Sequence, residues 1–300
     1  MEKNINLPNL LIVGAAKCGT TSLHNYLKQH PDIFMTEHKE PHFLINSDIG
    51  KGRIHKAVTD LEEYEKMFKT EGKYRYKGES SVMYLAFPEF SIKNIKKYLD
   101  PDVKVIIMLR NPIERAFAGY LHNLRYNPSE DLSFEDAFDK SEERYHQVGN
   151  MTPDTRYLHV GNYHSQVESF MTMFNDNVLV ILYDDYVNNI NLCLSNIFNF
   201  LSIDKISVDT SRRHMVGGWV FKSKFLRNLL IPKNNFKSLI KNFLPNKKIR
   251  KAIKQKIMNM STVENPSVSE DMHKKLTEYY RKDIDNLSKL LNKELNCWIN

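Results

Sequence analysis

Residues 10–23, LLIVGAAKCGTTSL, constrain the fold more than any other stretch of the chain. Residues 10–13 are a short apolar run of strand type, and residues 14–19 form a loop of small side chains. Thr20 opens a helical pattern with Leu23 and Leu27 on one face. A strand that passes through a tight loop into a helix start aims several backbone N–H groups at one point, and the positive end of the helix adds to that field. This makes a site for a phosphate-sized anion. A triphosphate-binding loop reads G-x-x-x-x-G-K-[ST]. Here Gly14 and Gly19 keep the spacing, but Thr20 and Thr21 follow, and the lysine stands inside the loop as Lys17. The cradle is kept without the lysine that reaches a γ-phosphate, so a nucleotide whose 5′ group is not a triphosphate fits better.

At 300 residues the chain is long enough for a full core, and one α/β domain with appended helices is expected. The N-terminus lacks the charged and apolar regions of a secretory leader, and no run of about 18 apolar residues predicts a membrane span. Cys18, Cys193 and Cys297 form no close pair, which predicts neither a disulfide framework nor a zinc site and suits a soluble protein of the reducing cytoplasm. Cys18 reads as a small filler of the glycine loop rather than a nucleophile, since no histidine stands near it in sequence. Residues 210–263 hold fourteen Lys and Arg and no Asp or Glu, so the rest of the chain is net acidic although the whole carries +7. Such a local basic face points to an anionic partner.

Further strands are predicted at residues 74–79, 103–109 and 178–183. Helices are predicted at 20–30, 61–68, 90–98, 113–125, 134–145, 162–174, 191–201 and 272–291. Strands alternating with helices imply a parallel sheet with helices on its faces, and ligands beyond the carboxyl ends of its strands. From about Met215 the chain reads as helical and basic. The division expected is an α/β domain over 1–230 and a basic helical extension over 231–300.

The run 103–109 leads straight into Arg110, Asn111 and Pro112. Pro112 suits the first turn of a helix, where a missing N–H costs nothing. Arg110 therefore stands at a strand's carboxyl end, on the same rim as the glycine loop, where its guanidinium can grip a second phosphate with two hydrogen bonds.

GAAKCGTTSL, then KEPHFL at 39–44, then VIIMLRNPIERAFAGY at 105–120 resemble the sulfotransferases that use 3′-phosphoadenosine 5′-phosphosulfate (PAPS), in the branch of bacterial and Golgi carbohydrate enzymes. GNYHSQVESFMTMF and VLVILYDDY extend the likeness, and HMVGGWVFKSKFLRNLL resembles the family's late cofactor loop, so the resemblance covers about residues 9–230. It implies a P-loop-like three-layer fold with a central parallel sheet. It also implies that the first loop, Lys17, Cys18, Gly19, Thr20, Thr21 and Ser22, holds the 5′-phosphosulfate, and that Arg110 holds the 3′-phosphate. Lys222, Ser223 and Lys224 follow as late-loop contacts, with Arg213 a weaker one; a basic helix face is the competing reading of those four. The family often has a serine eight residues after the arginine, where this chain has Ala118.

Sulfuryl transfer builds charge on the leaving phosphate oxygen, which Lys17 and backbone N–H groups are placed to stabilise. The acceptor must lose a proton as it attacks, so a base is needed opposite the leaving group. Glu40 is the base that the resemblance implies, and Pro41 biases it toward an extended backbone. His42 is the alternative base, or a hydrogen-bond partner of Glu40 or of the substrate. Glu79 resembles a family position near the acceptor, with a role in orienting Lys17 or the substrate; an ordinary strand-end carboxylate is the other reading. Arg115 reads as structural, and His122 is left without a role. Asp184 and Asp185 read as a helix-starting cap rather than a magnesium site, so no metal is expected.

The basic tail has three readings: helices packed on the core with solvated lysines, peripheral attachment to anionic lipid at the inner membrane face, or binding of an acidic acceptor. No nucleic-acid-binding pattern is present. The sequence thus predicts a PAPS-dependent sulfotransferase that releases adenosine 3′,5′-bisphosphate and acts on a hydroxyl or amine of a glycan or glycolipid. A small-molecule kinase of P-loop type and a non-catalytic, membrane-associated nucleotide-binding protein are the competing functions.

Overall fold

The computed structural model describes residues 6–50, 52–127, 129–147, 151–211, 219–223, 227, 262–264 and 267–299. A five-stranded sheet in the order β2-β3-β1-β4-β5 forms its centre, every pairing parallel. The strands are β1 (Leu10–Gly14), β2 (Ile33–Met35), β3 (Tyr76–Ser80), β4 (Lys104–Leu109) and β5 (Val178–Leu182). All five residues of β1 and the last five of β4 are buried. Covered on both faces, these strands read as continuous apolar runs rather than as alternation. Each fully buried Val, Leu or Ile there contributes roughly 1.5–3 kcal/mol.

The helices are α1 (Thr20–Leu27), α2 (Phe43–Ile49), α3 (Leu61–Lys66), α4 (Pro88–Tyr98), α5 (Pro112–Tyr126), α6 (Phe134–Asp139), α7 (Ser141–Gln147), α8 (Tyr163–Phe174), α9 (Tyr183–Asn188), α10 (Ile190–Leu201) and α11 (Glu270–Leu291). From β1 the chain runs outward to β2, returns through β3, and then crosses to β4 and β5 on the other side. The direction of winding reverses between β1 and β4, where an open α/β sheet leaves a crevice at its carboxyl ends. Pro112 opens α5 as expected, and Asn111 caps it by accepting from the Ile113 N–H at 2.9 Å.

Several elements differ from the sequence reading. β2 has only three residues, too few for periodicity to show. The expected helix 134–145 breaks at Lys140 into α6 and α7. Trp219–Phe221 is a strand, β6, paired antiparallel with β7 (Thr262–Glu264), where a helical region was expected from Met215; its aromatic and β-branched residues suit a strand. Most of the basic stretch, including Arg213 and Lys224, lies outside the described residues. The described part of the C-terminal region, α11, lays Leu276, Tyr280, Ile284 and Leu287 into the common core. Asp184 and Asp185 stand in the first turn of α9, whose cap is Leu182. They bind the chain's end: Asp184 accepts from Trp298 Nε1 at 3.3 Å, and Asp185 pairs with Lys293 at 3.1 Å. Among the described residues no helix is long and apolar enough to cross a membrane.

Candidate active site

A cleft of about 1420 Å³ opens over the carboxyl ends of the strands. Its walls come from the glycine loop, the 38–42 segment, the length of α5, the 152–154 turn and α9. Lys17, Gly19, Thr20, Thr21, Ser22, Glu40, His42, Arg110 and Ala118 all line it, so segments distant in sequence meet at one cavity.

The glycine loop leaves β1 and is tied to β4 by the Ala15 N–H, which donates to the Met108 carbonyl at 2.7 Å. Gly19 is the cap of α1 with φ +87°, and a Cβ there would stand 3.3 Å from the Tyr183 ring. The left-handed backbone and the close ring together call for glycine. Gly19 has no side chain to cap the helix, and no acidic residue stands in the first turn. The Ser22 and Leu23 N–H groups turn back to the Gly19 carbonyl at 3.0 and 3.2 Å. The Thr20 and Thr21 N–H groups belong to the first turn, which an α-helix leaves without intrahelical partners. This donor set suits an anionic phosphate or sulfate oxygen.

Lys17 is half-buried, and its Nζ lies 3.3 Å from His122 Nδ1 on α5. Burial, reinforced by the Arg125 charge, brings the Lys17 ammonium down to about 8. Burial, with Lys17 beside it, pushes His122 down to about 4. The histidine is therefore neutral near pH 7 and accepts from the ammonium. Cys18 turns away from the cleft: it is fully buried, its Sγ is 3.7 Å from the Ala16 carbonyl, and burial raises its thiol to about 11. A thiol of that kind is no nucleophile.

Arg110 stands at the end of β4, its guanidinium over the Tyr183 ring at 4.8 Å. Glu114, one helical turn on, takes Nε and Nη2 on one oxygen at 2.9 and 2.7 Å. Arg115, by contrast, is buried and donates to the Tyr157 carbonyl, the structural role expected of it.

Glu40 is held from both sides, by Lys39 Nζ at 2.6 Å and His42 Nε2 at 3.2 Å. Burial alone would raise its carboxyl; the Lys39 charge and the His42 hydrogen bond outweigh that and hold it well below the usual carboxylate range. Its backbone is not extended as Pro41 suggested. Glu40 has φ +66° and His42 φ +51°, both left-handed. Neighbours impose this shape: the Glu40 N–H donates to the Ser80 carbonyl at 3.0 Å, the His42 N–H to Ser81 Oγ at 3.0 Å, and the Val58 N–H to the Pro41 carbonyl at 2.8 Å. Non-glycine residues in that region cost about 1–3 kcal/mol each and persist where the surroundings fix them.

Glu79 does not reach the cleft. It is fully buried, accepting from Tyr64 Oη at 3.1 Å and Ser81 Oγ at 2.8 Å, and burial raises its pKa. The expected contact with substrate or Lys17 is corrected to a supporting one: Glu79 holds Ser81, and Ser81 receives the His42 N–H. Lys222 and Ser223 are exposed just past β6 and are not among the residues lining the cleft.

The sequence reading left His122 without a role and did not single out Arg125 or Asp154, and all three line the cleft. The signal lay in α5, where Glu114, Ala118, His122 and Arg125 recur at helical spacing and all face the cleft. Arg125 donates to the Trp219 carbonyl at 3.1 Å, which ties β6 to this wall. Asp154, on a short 3₁₀ turn, has its pKa raised by burial, with the Glu40 charge acting in the same sense.

Known proteins agree with this architecture. The sulfotransferase domain family matches residues 7–288. Carbohydrate sulfotransferase 15 of Mus musculus is 24% identical over 255 residues, covering 67% of this chain and 45% of that protein. The chain therefore spans less than half the length of that relative. A bifunctional heparan sulfate N-deacetylase/N-sulfotransferase 1 of Mus musculus is 25% identical over 185 residues, covering 58% of this chain and 20% of that one. The crystal structure of a sulfotransferase from Alicyclobacillus acidocaldarius superposes with a TM-score of 0.74 at 29% identity, over 98% of this chain and 99% of that one. A parallel sheet with a glycine loop beside its winding reversal, matched by the family over residues 7–288, belongs to a chain of the sulfotransferase domain family.

Proposed function

We propose that the protein transfers the sulfuryl group of PAPS to a hydroxyl or amine of a glycan or glycolipid acceptor by direct in-line displacement. One observation carries the reading: the Lys17 loop and Arg110 stand on neighbouring strand ends and line one cleft, which Glu40 lines as well. Two anion-holding groups suit a nucleotide phosphorylated at both ends of its ribose, and the catalytic carboxylate suits deprotonation of an acceptor. The carbohydrate enzymes among the relatives favour a glycan. Three unpaired cysteines suit a reducing cytoplasm.

The donor supplies an activated sulfuryl group whose leaving phosphate gains charge as the S–O bond breaks. Thr20 and Thr21 N–H groups, with Ser22, hold the 5′ end, and Arg110 holds the 3′-phosphate. Lys17 leaves His122 and donates to the oxygen on which charge develops. Glu40 takes the acceptor proton as the acceptor oxygen or nitrogen bonds to sulfur. Its carboxylate stays ionised through the neutral range, and Lys39 and His42 orient it. The kinase alternative lacks the γ-phosphate lysine. The basic stretch proposed for lipid contact lies mostly outside the described residues.

Lys17 gives this reading a pH signature. Its proton is lost as pH rises through about 8 in the free protein, and an anion binds the protonated form. Affinity for adenosine 3′,5′-bisphosphate is expected to be full below that value and to fall by up to about tenfold per pH unit above it. Titrations between about pH 7 and 9.5, where the phosphates are already ionised, check this. Lys17→Arg should flatten the profile, and a flat wild-type profile would remove the lysine from the site. The activity itself is tested by following radiolabelled sulfate from PAPS into a panel of glycan and glycolipid acceptors. Label in at least one of them is expected; label in none, with the nucleotide bound, would support the non-catalytic alternative.

A further inference from the structure

The two halves of the proposed donor site lie far apart in sequence, and one side chain touches both from behind. Tyr163, the first residue of α8, is fully buried and does not line the cleft. Its hydroxyl donates to the Arg110 carbonyl at 3.0 Å, and Cys18 Sγ of the glycine loop lies 3.8 Å from the same oxygen. One phenol oxygen therefore bridges the backbone of the 3′ anchor and the loop of the 5′ anchor.

Tyr163 is itself fixed by the C-terminal region. Asn162 gives α8 no side-chain cap. The Tyr163 and His164 N–H groups go instead to the Asp283 carboxylate of α11, at 2.8 and 3.1 Å. Trp298 meets the Tyr163 ring near edge-on, with centroids 6.3 Å apart. The Trp298 carbonyl accepts from Asn111 Nδ2 at 3.2 Å, beside Arg110, and its Nε1 donates to Asp184, beside the Tyr183 ring on which Arg110 rests.

We propose that Tyr163, held by Asp283 and Trp298, is a positioning residue that sets the separation between the glycine loop and Arg110. The proposal rests on the reading of the cleft as a bisphosphate site. A ligand gripped at both ends binds well only when its two anchors stand at the right spacing, since hydrogen bonds weaken steeply as distance and angle depart from their optimum. A ligand gripped at one end is indifferent to that spacing. Tyr163→Phe keeps the ring, its packing against Trp298 and the N–H bonds to Asp283, and removes only the bridge.

The test compares two ligands on the folded Tyr163→Phe protein. Affinity for adenosine 3′,5′-bisphosphate should fall roughly tenfold, as loss of a buried hydroxyl bond allows. Affinity for adenosine 5′-monophosphate should change less than about threefold on the same grounds. The KM for PAPS should rise with kcat nearly unchanged. Equal weakening of both ligands, or no weakening of the bisphosphate, would overturn the proposal. Amide hydrogen exchange in the ligand-free protein separates this inference from the reading beneath it. Exchange should quicken in both 15–22 and 110–113 while the centre of β4 keeps its protection; a change in one segment alone, or in neither, overturns the coupling. Failure of the wild-type protein to bind bisphosphate would instead defeat the proposed function. Should Tyr163→Phe not fold, Trp298→Phe keeps an aromatic ring but loses the bond to Asp184, and the same two-ligand contrast is expected in smaller measure.

Discussion

Glu40→Gln is expected to lower kcat by about 10²–10⁴-fold, the range of general base catalysis, while affinity for adenosine 3′,5′-bisphosphate stays near that of the wild type. Glutamine keeps the shape of the side chain and can still accept from Lys39 or His42, so the left-handed segment around Pro41 should hold its form. What it loses is the capacity to take a proton. The depressed carboxyl pKa makes Glu40 a modest base in the free protein. An acceptor hydroxyl that displaces Lys39 from its 2.6 Å contact would raise that basicity where it is used. Turnover retained by Glu40→Gln would move the base to His42. That residue starts with a handicap: its Nε2 is committed to Glu40, and its Nδ1 is buried without a partner. Steady-state kinetics paired with calorimetric binding decides between them.

Lys17→Ala is expected to lower kcat by about 10²–10³-fold, the usual loss when a donor aimed at developing charge is removed. Unlike Glu40→Gln, it should also weaken adenosine 3′,5′-bisphosphate, since the contact proposed between the ammonium and the 5′-phosphate would persist in the product complex. His122 gains from the change: with the neighbouring positive charge gone, its pKa should rise from about 4 toward the ordinary histidine range, a shift that NMR titration can read. Unchanged turnover and unchanged binding together would show that Lys17 belongs to the fold alone.

The strand–loop–helix structure of both rim motifs was legible because each is local. A strand, its loop and the next helix start are contiguous in sequence, and the Gly19 cap and the Asn111–Pro112 start carry their own chemical signatures. What local reading could not supply was the packing between segments. Pro41 suggested an extended Glu40, yet hydrogen bonds to Ser80 and Ser81 at the end of β3 impose a left-handed turn. Glu79 has the residue type of a site carboxylate, but β3 runs beneath the cleft, and the side chain is spent on Tyr64 and Ser81. His122 and Arg125 follow from Glu114 by helical spacing alone, once α5 is known to lay that stripe along the cleft. Asp154 and Tyr163 had no such signal, because their roles come from residues more than 25 positions away.

The Lys17 loop and Arg110 are proposed to hold opposite ends of one bisphosphorylated adenosine. Isothermal titration of adenosine 3′,5′-bisphosphate into the folded protein, beside Arg110→Ala, tests it most directly. Saturable binding at one site per chain is expected in the wild type, and the Arg110→Ala protein should bind the bisphosphate no better than adenosine 5′-monophosphate. Absence of binding in the wild type, or full affinity in Arg110→Ala, would contradict it.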